Sequence, residues 1–141
     1  MMTIQQLLQY VVDNQASDLH LVVGVPPTVR VDGNLIAVPR EEVLSVQGVE
    51  QLVAGVVSTQ QKEVLVVNKE LDFSFALGSA ARFRVNAYYQ RGTMAASFRQ
   101  IPNVIPTIDS LGLPNICHNF TVLKQGFILV TGPTGHGKST T

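Results

Sequence analysis

The chain has 141 residues, enough for one cored domain and too few for two complete ones. Apolar residues make up 45% and charged residues 14%, and ten basic residues balance ten acidic ones, so no bulk positive charge marks a nucleic-acid or anionic-membrane surface. One cysteine, Cys117, excludes an internal disulfide and a cysteine-rich metal site, and a lone cysteine of this kind is expected as a small buried apolar residue.

Thr3 with Gln6 forms a capping-box pattern, and Ile4, Leu7, Leu8, Val11 and Val12 then recur at helical spacing, which predicts a first helix to about Asn14. The N-terminal segment has no basic residue before Arg30 and no small-residue cleavage pattern, so it does not read as a signal peptide. Residues 17–23, SDLHLVV, alternate and then turn apolar, as a strand entering a core does. Residues 28–31 and 35–38 flank Asp32-Gly33-Asn34, a turn signal that predicts a short hairpin. Val49, Leu52, Val53, Val56 and Val57 mark a second helix. Ser58 with Gln61 opens a third toward Asn68, although residues 64–67, VLVV, are locally strand-like.

Three alternating strands are predicted at 71–77, 82–90 and 93–101, ended by Pro102 and Pro106. Residues 103–124 read as a linker with a short helix near 113–120. Gly126 is expected to open a short apolar strand, FILV, that runs into GPTGHGKSTT. No apolar run approaches the roughly 20 residues needed to cross a bilayer, so no membrane insertion is expected. The predicted class is α+β: a small domain over 1–102, the linker, and the first strand and loop of a second domain over 125–141.

That loop carries the chemistry. Gly132, Pro133, Thr134, Gly135, His136, Gly137, Lys138 and Ser139 fit the phosphate-loop pattern G-x-x-x-x-G-K-S/T at every fixed position, with Thr140 beside it. The glycines let successive N–H groups turn inward onto phosphate oxygens. Lys138 is placed to reach the β- and γ-phosphates, the Ser139 hydroxyl to ligate Mg²⁺, and a helix starting near Gly137 to point its positive end at the same anion. These residues are the candidate ATP-binding set and Ser139 the candidate metal ligand. His136 is read as a spectator whose backbone N–H still donates.

Between residues 82 and 99 the charge balance breaks down: Arg82, Arg84, Arg91 and Arg99 occur with no Asp or Glu. A turn centred between Arg91 and Gly92 pairs Val85 with Phe98, Ala87 with Ala96 and Tyr89 with Met94 on an apolar face. On the other face it sets Asn86 against Ser97 and Arg84 directly opposite Arg99. Like charges so placed repel. Either an anion sits between the two arginines, or they splay into water or pair with Asp72 or Glu70. A register slip of one residue would expose Val85 and Phe98.

Taken together, SDLHL (17–21), RVDG (30–33), DFSF (72–75), ARFRVNAYYQ (81–90), FRQIP (98–102), LGLP (111–114) and GFILVTGPTGHGKSTT (126–141) resemble the PilT-like type IV pilus retraction ATPases of the secretion ATPase superfamily. The resemblance spans essentially the whole chain in the family's order. It implies a PAS-like N-terminal domain followed by the start of a RecA-like ATPase core, in a cytoplasmic homo-hexamer, with a peripheral place at the inner face of the membrane as a further option. It also implies ATP with Mg²⁺ as the bound nucleotide, Arg84 and Arg99 as phosphate-approaching residues, an inner-membrane pilus platform protein as partner, and twitching motility as the output. His20, in SDLHL, is expected as a hydrogen-bonded histidine at the core edge.

The chain departs from the family at His136, where the family usually has Ser. It also stops at Thr141, before the family's acidic box, Walker B strand with its catalytic Glu, and histidine box. No catalytic residue is therefore expected within these 141 residues, which alone should bind ATP weakly or not at all and not hydrolyse it. Two other readings remain: a non-catalytic PAS-like interaction or assembly module, and a pilus-assembly or type II secretion ATPase. The latter usually carries extra N-terminal domains and a zinc-binding cysteine cluster, which a single cysteine disfavours.

Overall fold

The computed structural model describes residues 2–101, 106–133, 137, 138, 140 and 141. It divides into two compact units, Met1–Asn103 and Val104–Thr141.

The first unit is α+β. It begins with helix α1 (Ile4–Asp13), where the Thr3 hydroxyl accepts from the Gln6 N–H and the Gln6 side chain accepts from the Thr3 N–H, so two backbone donors at the helix start are satisfied reciprocally. Strand β1 (Asp18–Val22) follows, then the hairpin of β2 (Thr28–Val31) and β3 (Asn34–Ala37). Its two linking residues, Asp32 and Gly33, both take positive φ, at 48° and 82°, the turn whose twist matches that of the flanking strands.

Helix α2 (Val46–Ala54) is capped by Ser45, whose hydroxyl accepts from the Gly48 N–H. Helix α3 (Thr59–Asn68) opens on the Ser58–Gln61 capping box. That cap decides the local contest, and VLVV is helical despite its branched side chains. Strands β4 (Glu70–Leu77), β5 (Ala81–Gln90) and β6 (Thr93–Ile101) complete the unit. Arg91 and Gly92 form the β5–β6 turn with φ of 50° and 80°.

The six strands form one antiparallel sheet in the order β3-β2-β1-β6-β5-β4. The β5–β6 register follows the predicted pairing, with Val85 opposite Phe98, Ala87 opposite Ala96, Tyr89 opposite Met94 and Arg84 opposite Arg99. One face carries Leu19, Leu21, Val29, Phe83, Val85, Ala87, Ala96 and Phe98, all buried together with Ile4, Leu7, Leu8 and Val11 of α1, Val49, Leu52 and Val53 of α2, and Leu65 of α3. Burying each large side chain contributes about 1.5–3 kcal/mol, so this layer is the main source of stability. The opposite face is polar, because the strands alternate. Lys69 ends α3 in the left-handed conformation, accepts a hydrogen bond from the Tyr89 N–H at 2.9 Å, and sets its ammonium 4.9 Å from the Tyr89 ring centre.

In the second unit one helix, α4 (Ile116–Thr121), lies among the described residues, shorter than the predicted 113–120 and shifted toward the C-terminus. Cys117 sits on it half-exposed, not buried as expected, because a six-residue helix covers too little surface to enclose its own side chains. The expected strand FILV is absent: residues 127–130 have no regular structure, and Phe127 is 86% exposed. A core strand needs neighbours to take its backbone N–H and C=O groups, and no described residue pairs with this segment. Beyond it, the Thr140 and Thr141 N–H groups both donate to the Gly137 carbonyl, at 2.9 and 3.0 Å, forming a single turn. Among the described residues no helix is long and apolar enough to cross a membrane.

Candidate functional site

Two sets of candidate residues lie in the two units. In the second, Gly132, Pro133, Gly137, Lys138 and Thr140 are described, whereas Thr134, Gly135, His136 and Ser139 lie outside the described residues, Ser139 being the expected Mg²⁺ ligand. Gly137 has φ +81°, a left-handed conformation that a side chain would strain, which is the backbone property this position of the pattern demands. The Lys138 ammonium donates to the Pro133 carbonyl at 2.6 Å. A neutral carbonyl is a weaker acceptor for an ammonium than a phosphate oxygen, so the donor set suits a phosphate. Among the described residues, no group of three or more His, Cys, Asp and Glu could hold a metal ion.

In the first unit the polar face of the sheet forms an open concavity of about 450 Å³ that includes Asp18, His20, Asp72, Arg84, Asn86 and Arg99. One register row crosses four strands: Arg30 on β2 faces Asp18 on β1, Asp18 faces Arg99 on β6, and Arg99 faces Arg84 on β5. The expected repulsion between Arg84 and Arg99 is relieved by carboxylates on either side. Arg84 donates from Nε to both oxygens of Asp72 at 3.1 Å, one of the pairings the sequence left open. Arg99 donates from Nε to Asp18 Oδ1 at 2.9 Å. Asp18 was not foreseen as its partner.

Both guanidinium groups are exposed, Arg84 at 69% and Arg99 at 74% of the side chain, whereas the Asp18 side chain is 8% exposed. Both cations therefore stand at the surface; the counter-charge of Arg99 lies beneath it, whereas Asp72, the counter-charge of Arg84, is itself exposed at 42%. The hydrogen bond from Arg84 holds the Asp72 carboxyl below its usual range and raises Arg84 in turn. Burial acts to raise Asp18, but hydrogen bonds from Ser17 and Arg99 and the Arg99 charge outweigh it, and its carboxyl titrates below 3.8. The Ser17 hydroxyl donates to Asp18 Oδ2 at 2.7 Å, and Arg30 Nε lies 3.5 Å from the same oxygen.

His20 is two residues along the same face. Contrary to expectation it is not hydrogen-bonded through Nε2, which is buried with no partner among the described residues. Burial lowers its pKa most, Asp18 opposes this, and Arg30 and Arg99 add to it, so the imidazole favours its neutral form. A neutral ring leaves Nε2 with less to lose by desolvation than a charged one.

The Asp18 shift has a signed consequence for stability. A carboxyl with a depressed native pKa stabilises the fold above its unfolded value and loses that contribution as pH falls through the native one. Asp18→Asn should therefore lower the thermal midpoint at pH 7, and the gap from the unaltered chain should close as pH drops below 3.8. Melts from pH 7 down to the acid limit of folding would read this, and a gap that stays constant would contradict it.

A scan against protein-family models finds no match. The chain is 39% identical over 140 residues to the type IV pilus retraction ATPase PilT of Pseudomonas aeruginosa, covering 99% of this chain and 40% of that protein. It is 36% identical over 139 residues to the type IV pilus ATPase PilU of the same organism, covering 99% of this chain and 36% of that protein. The crystal structure of the pilus retraction motor PilT with bound ADP superposes with a TM-score of 0.83 at 38% identity, covering 99% of this chain and 41% of that one. Over 99% of its length the chain is similar to PilT-like ATPases. It spans about 40% of the length of the curated PilT relative.

In this PilT-like chain Asp18 is the site residue that sequence reasoning missed. The signal was present in SDLHL: Asp18 and His20 share one face of a strand whose other face carries Leu19 and Leu21. A carboxylate buried on an inner strand needs a cation or hydrogen-bond donors beside it. Only the strand order identifies which residues supply them.

Proposed function

We propose that the 141 residues form part of a nucleotide-driven motor, in which the loop around Lys138 binds ATP and the longer protein couples its hydrolysis to type IV pilus retraction. The observation that carries the reading is the complete phosphate-loop pattern from Gly132 to Ser139, in a chain 39% identical over 140 residues to a retraction ATPase. Gly132, Pro133, Thr134, Gly135, His136, Gly137 and Thr140 supply the cradle, Lys138 the cation for the terminal phosphates, and Ser139 the hydroxyl for Mg²⁺. The metal, when bound, neutralises charge on the phosphate oxygens. Arg84 and Arg99 supply two exposed guanidinium groups to the same nucleotide.

On this reading residues 1–102 are a PAS-like domain, 103–124 a linker, and 125–141 the opening of a RecA-like core. The protein works as a homo-hexamer in the cytoplasm, against the inner face of the membrane, with an inner-membrane platform protein as partner. The exposure of Val122, Leu123, Phe127 and Leu129 supports the RecA-like assignment, since side chains of this kind belong under further core structure. The 141-residue polypeptide by itself binds ATP weakly or not at all and does not hydrolyse it, because no residue in it positions the attacking water. A Mg²⁺-dependent ATPase rate in this polypeptide that Lys138→Ala removes would overturn that statement.

Arg84→Ala and Arg99→Ala, each in the longer ATPase, should lower ATP turnover by about tenfold or more while circular dichroism stays unchanged. The fold tolerates the second change because Asp18 keeps Ser17 and Arg30 as partners. Wild-type rates in both variants would remove the arginines from the site.

A further inference from the structure

We infer that Asp18 is a positioning residue for Arg99: from beneath the sheet surface it grips the arginine by Nε and so holds the guanidinium with its outer Nη donors left for a nucleotide phosphate. The inference rests on the reading of Arg99 as a phosphate contact. It goes beyond that reading in assigning a role to a residue that touches no ligand.

The geometry makes the case. Asp18 is the buried charged residue among the described ones, 5% exposed, on a strand flanked on both sides by arginine-bearing strands. Its two oxygens are divided between neighbours. Oδ1 takes the Arg99 Nε–H at 2.9 Å, while Oδ2 takes the Ser17 hydroxyl at 2.7 Å and faces Arg30 Nε at 3.5 Å. Arg30 is itself anchored, donating from Nη1 to the Gly33 carbonyl at 3.0 Å. The carboxylate is thus fixed by Ser17 on one side and offers Arg99 a single, defined acceptor.

A long exposed side chain otherwise samples many rotamers, and fixing it carries an entropic cost that must be met before it can stabilise anything. Holding Nε alone meets part of that cost without consuming the outer donors. No described residue accepts a hydrogen bond from the Arg99 Nη groups. Arg84 is held on Asp72 by Nε and Nη2, which leaves Nη1. Two guanidinium groups on facing strand positions are each held at Nε by a carboxylate, and holding them matters because a shift of about 1 Å at such a group can cost up to about a hundredfold in rate.

Removing the Asp18 charge has two opposed effects. It loosens Arg99, and it makes the face more positive, which draws a triphosphate in. The two separate in the kinetic constants. In the full-length ATPase, Asp18→Asn should lower kcat about three- to tenfold while KM for ATP stays level or falls. The decisive experiment is a double-mutant cycle of Asp18→Asn with Arg99→Ala, read as MgATP turnover per folded protein. The expected result is that Asp18→Asn lowers kcat alone and adds less than about twofold once Arg99 is gone.

A full Asp18→Asn loss persisting in the Arg99→Ala background, or a kcat for Asp18→Asn within about twofold of wild type, would overturn the positioning role and leave the arginine reading intact. Wild-type turnover in Arg99→Ala would overturn the arginine reading and this inference with it. Should Asp18→Asn fail to fold, Ser17→Ala takes its place, since the Ser17 side chain is exposed and its loss frees Asp18 without unpairing it. It should lower kcat about two- to threefold, and an equal loss in the Arg99→Ala background would overturn the positioning role.

Discussion

On the proposed function, replacing Lys138 by Ala in the longer protein should lower Mg²⁺-dependent ATP turnover by about 10²–10³-fold, the cost typical of deleting one preorganised donor from a site of developing negative charge. Lys138 is the only cation of the phosphate loop. Its ammonium is a compact point charge on a flexible stem, and the carbonyl of Pro133 is the acceptor it uses in the present structure. Exchanging that carbonyl for an ionised phosphate oxygen converts a charge–dipole contact into a charge–charge one, which drives the exchange. Lys138→Arg should not restore the rate, because a planar fork does not fit where a single ammonium must enter a loop of backbone amides. Steady-state phosphate release with each variant would measure this. Turnover within about twofold of wild type for Lys138→Ala would remove the loop from the chemistry.

The second large effect concerns the fold. Phe98 is fully buried, and it stands opposite Leu19 on β1 and Val85 on β5, in the middle of the apolar layer. Phe98→Ala should cost about 3–5 kcal/mol, lost transfer energy and the cavity together. Domains of this size are stable by only about 5–15 kcal/mol, so the change takes up a large part of the total. Urea unfolding of the chain at 25 °C, followed by far-ultraviolet circular dichroism, should show the midpoint fall sharply with little change in slope. A loss below about 1 kcal/mol would mean that Phe98 does not occupy the centre of the core.

Where the sequence could be read, local physics set the answer. Thr3–Gln6 and Ser58–Gln61 announced two helix starts because a capping box is a contact between residues three apart. The β5–β6 register was legible because a two-residue turn at Arg91-Gly92 fixes every pair above it, including Arg84 with Arg99. The partner of Arg99 was not legible, because Asp18 lies 81 positions away and reaches it only once β1 has docked against β6. Residues 127–130 failed for a related reason. Their FILV pattern states what a strand wants to bury, whereas a strand also needs a neighbour to take its backbone hydrogen bonds, and no described residue provides one. Cys117 and His20 show the limit of residue-type statistics: one is half-exposed on a short helix, and the other keeps a buried ring nitrogen without a partner.

The strand order has a consequence for how the molecule assembles itself. Strands β1, β2 and β3 form one meander and β4, β5 and β6 another, each joined internally between sequence neighbours, and the two meet at a single seam where β1 lies along β6. Each half can zip up through short-range encounters, whereas the seam must wait for chain ends separated by some 81 positions to meet. The pair that straddles it, Asp18 with Arg99, is therefore among the last long-range links to form. The Arg99 guanidinium acquires its orientation only when the two halves have closed into one sheet.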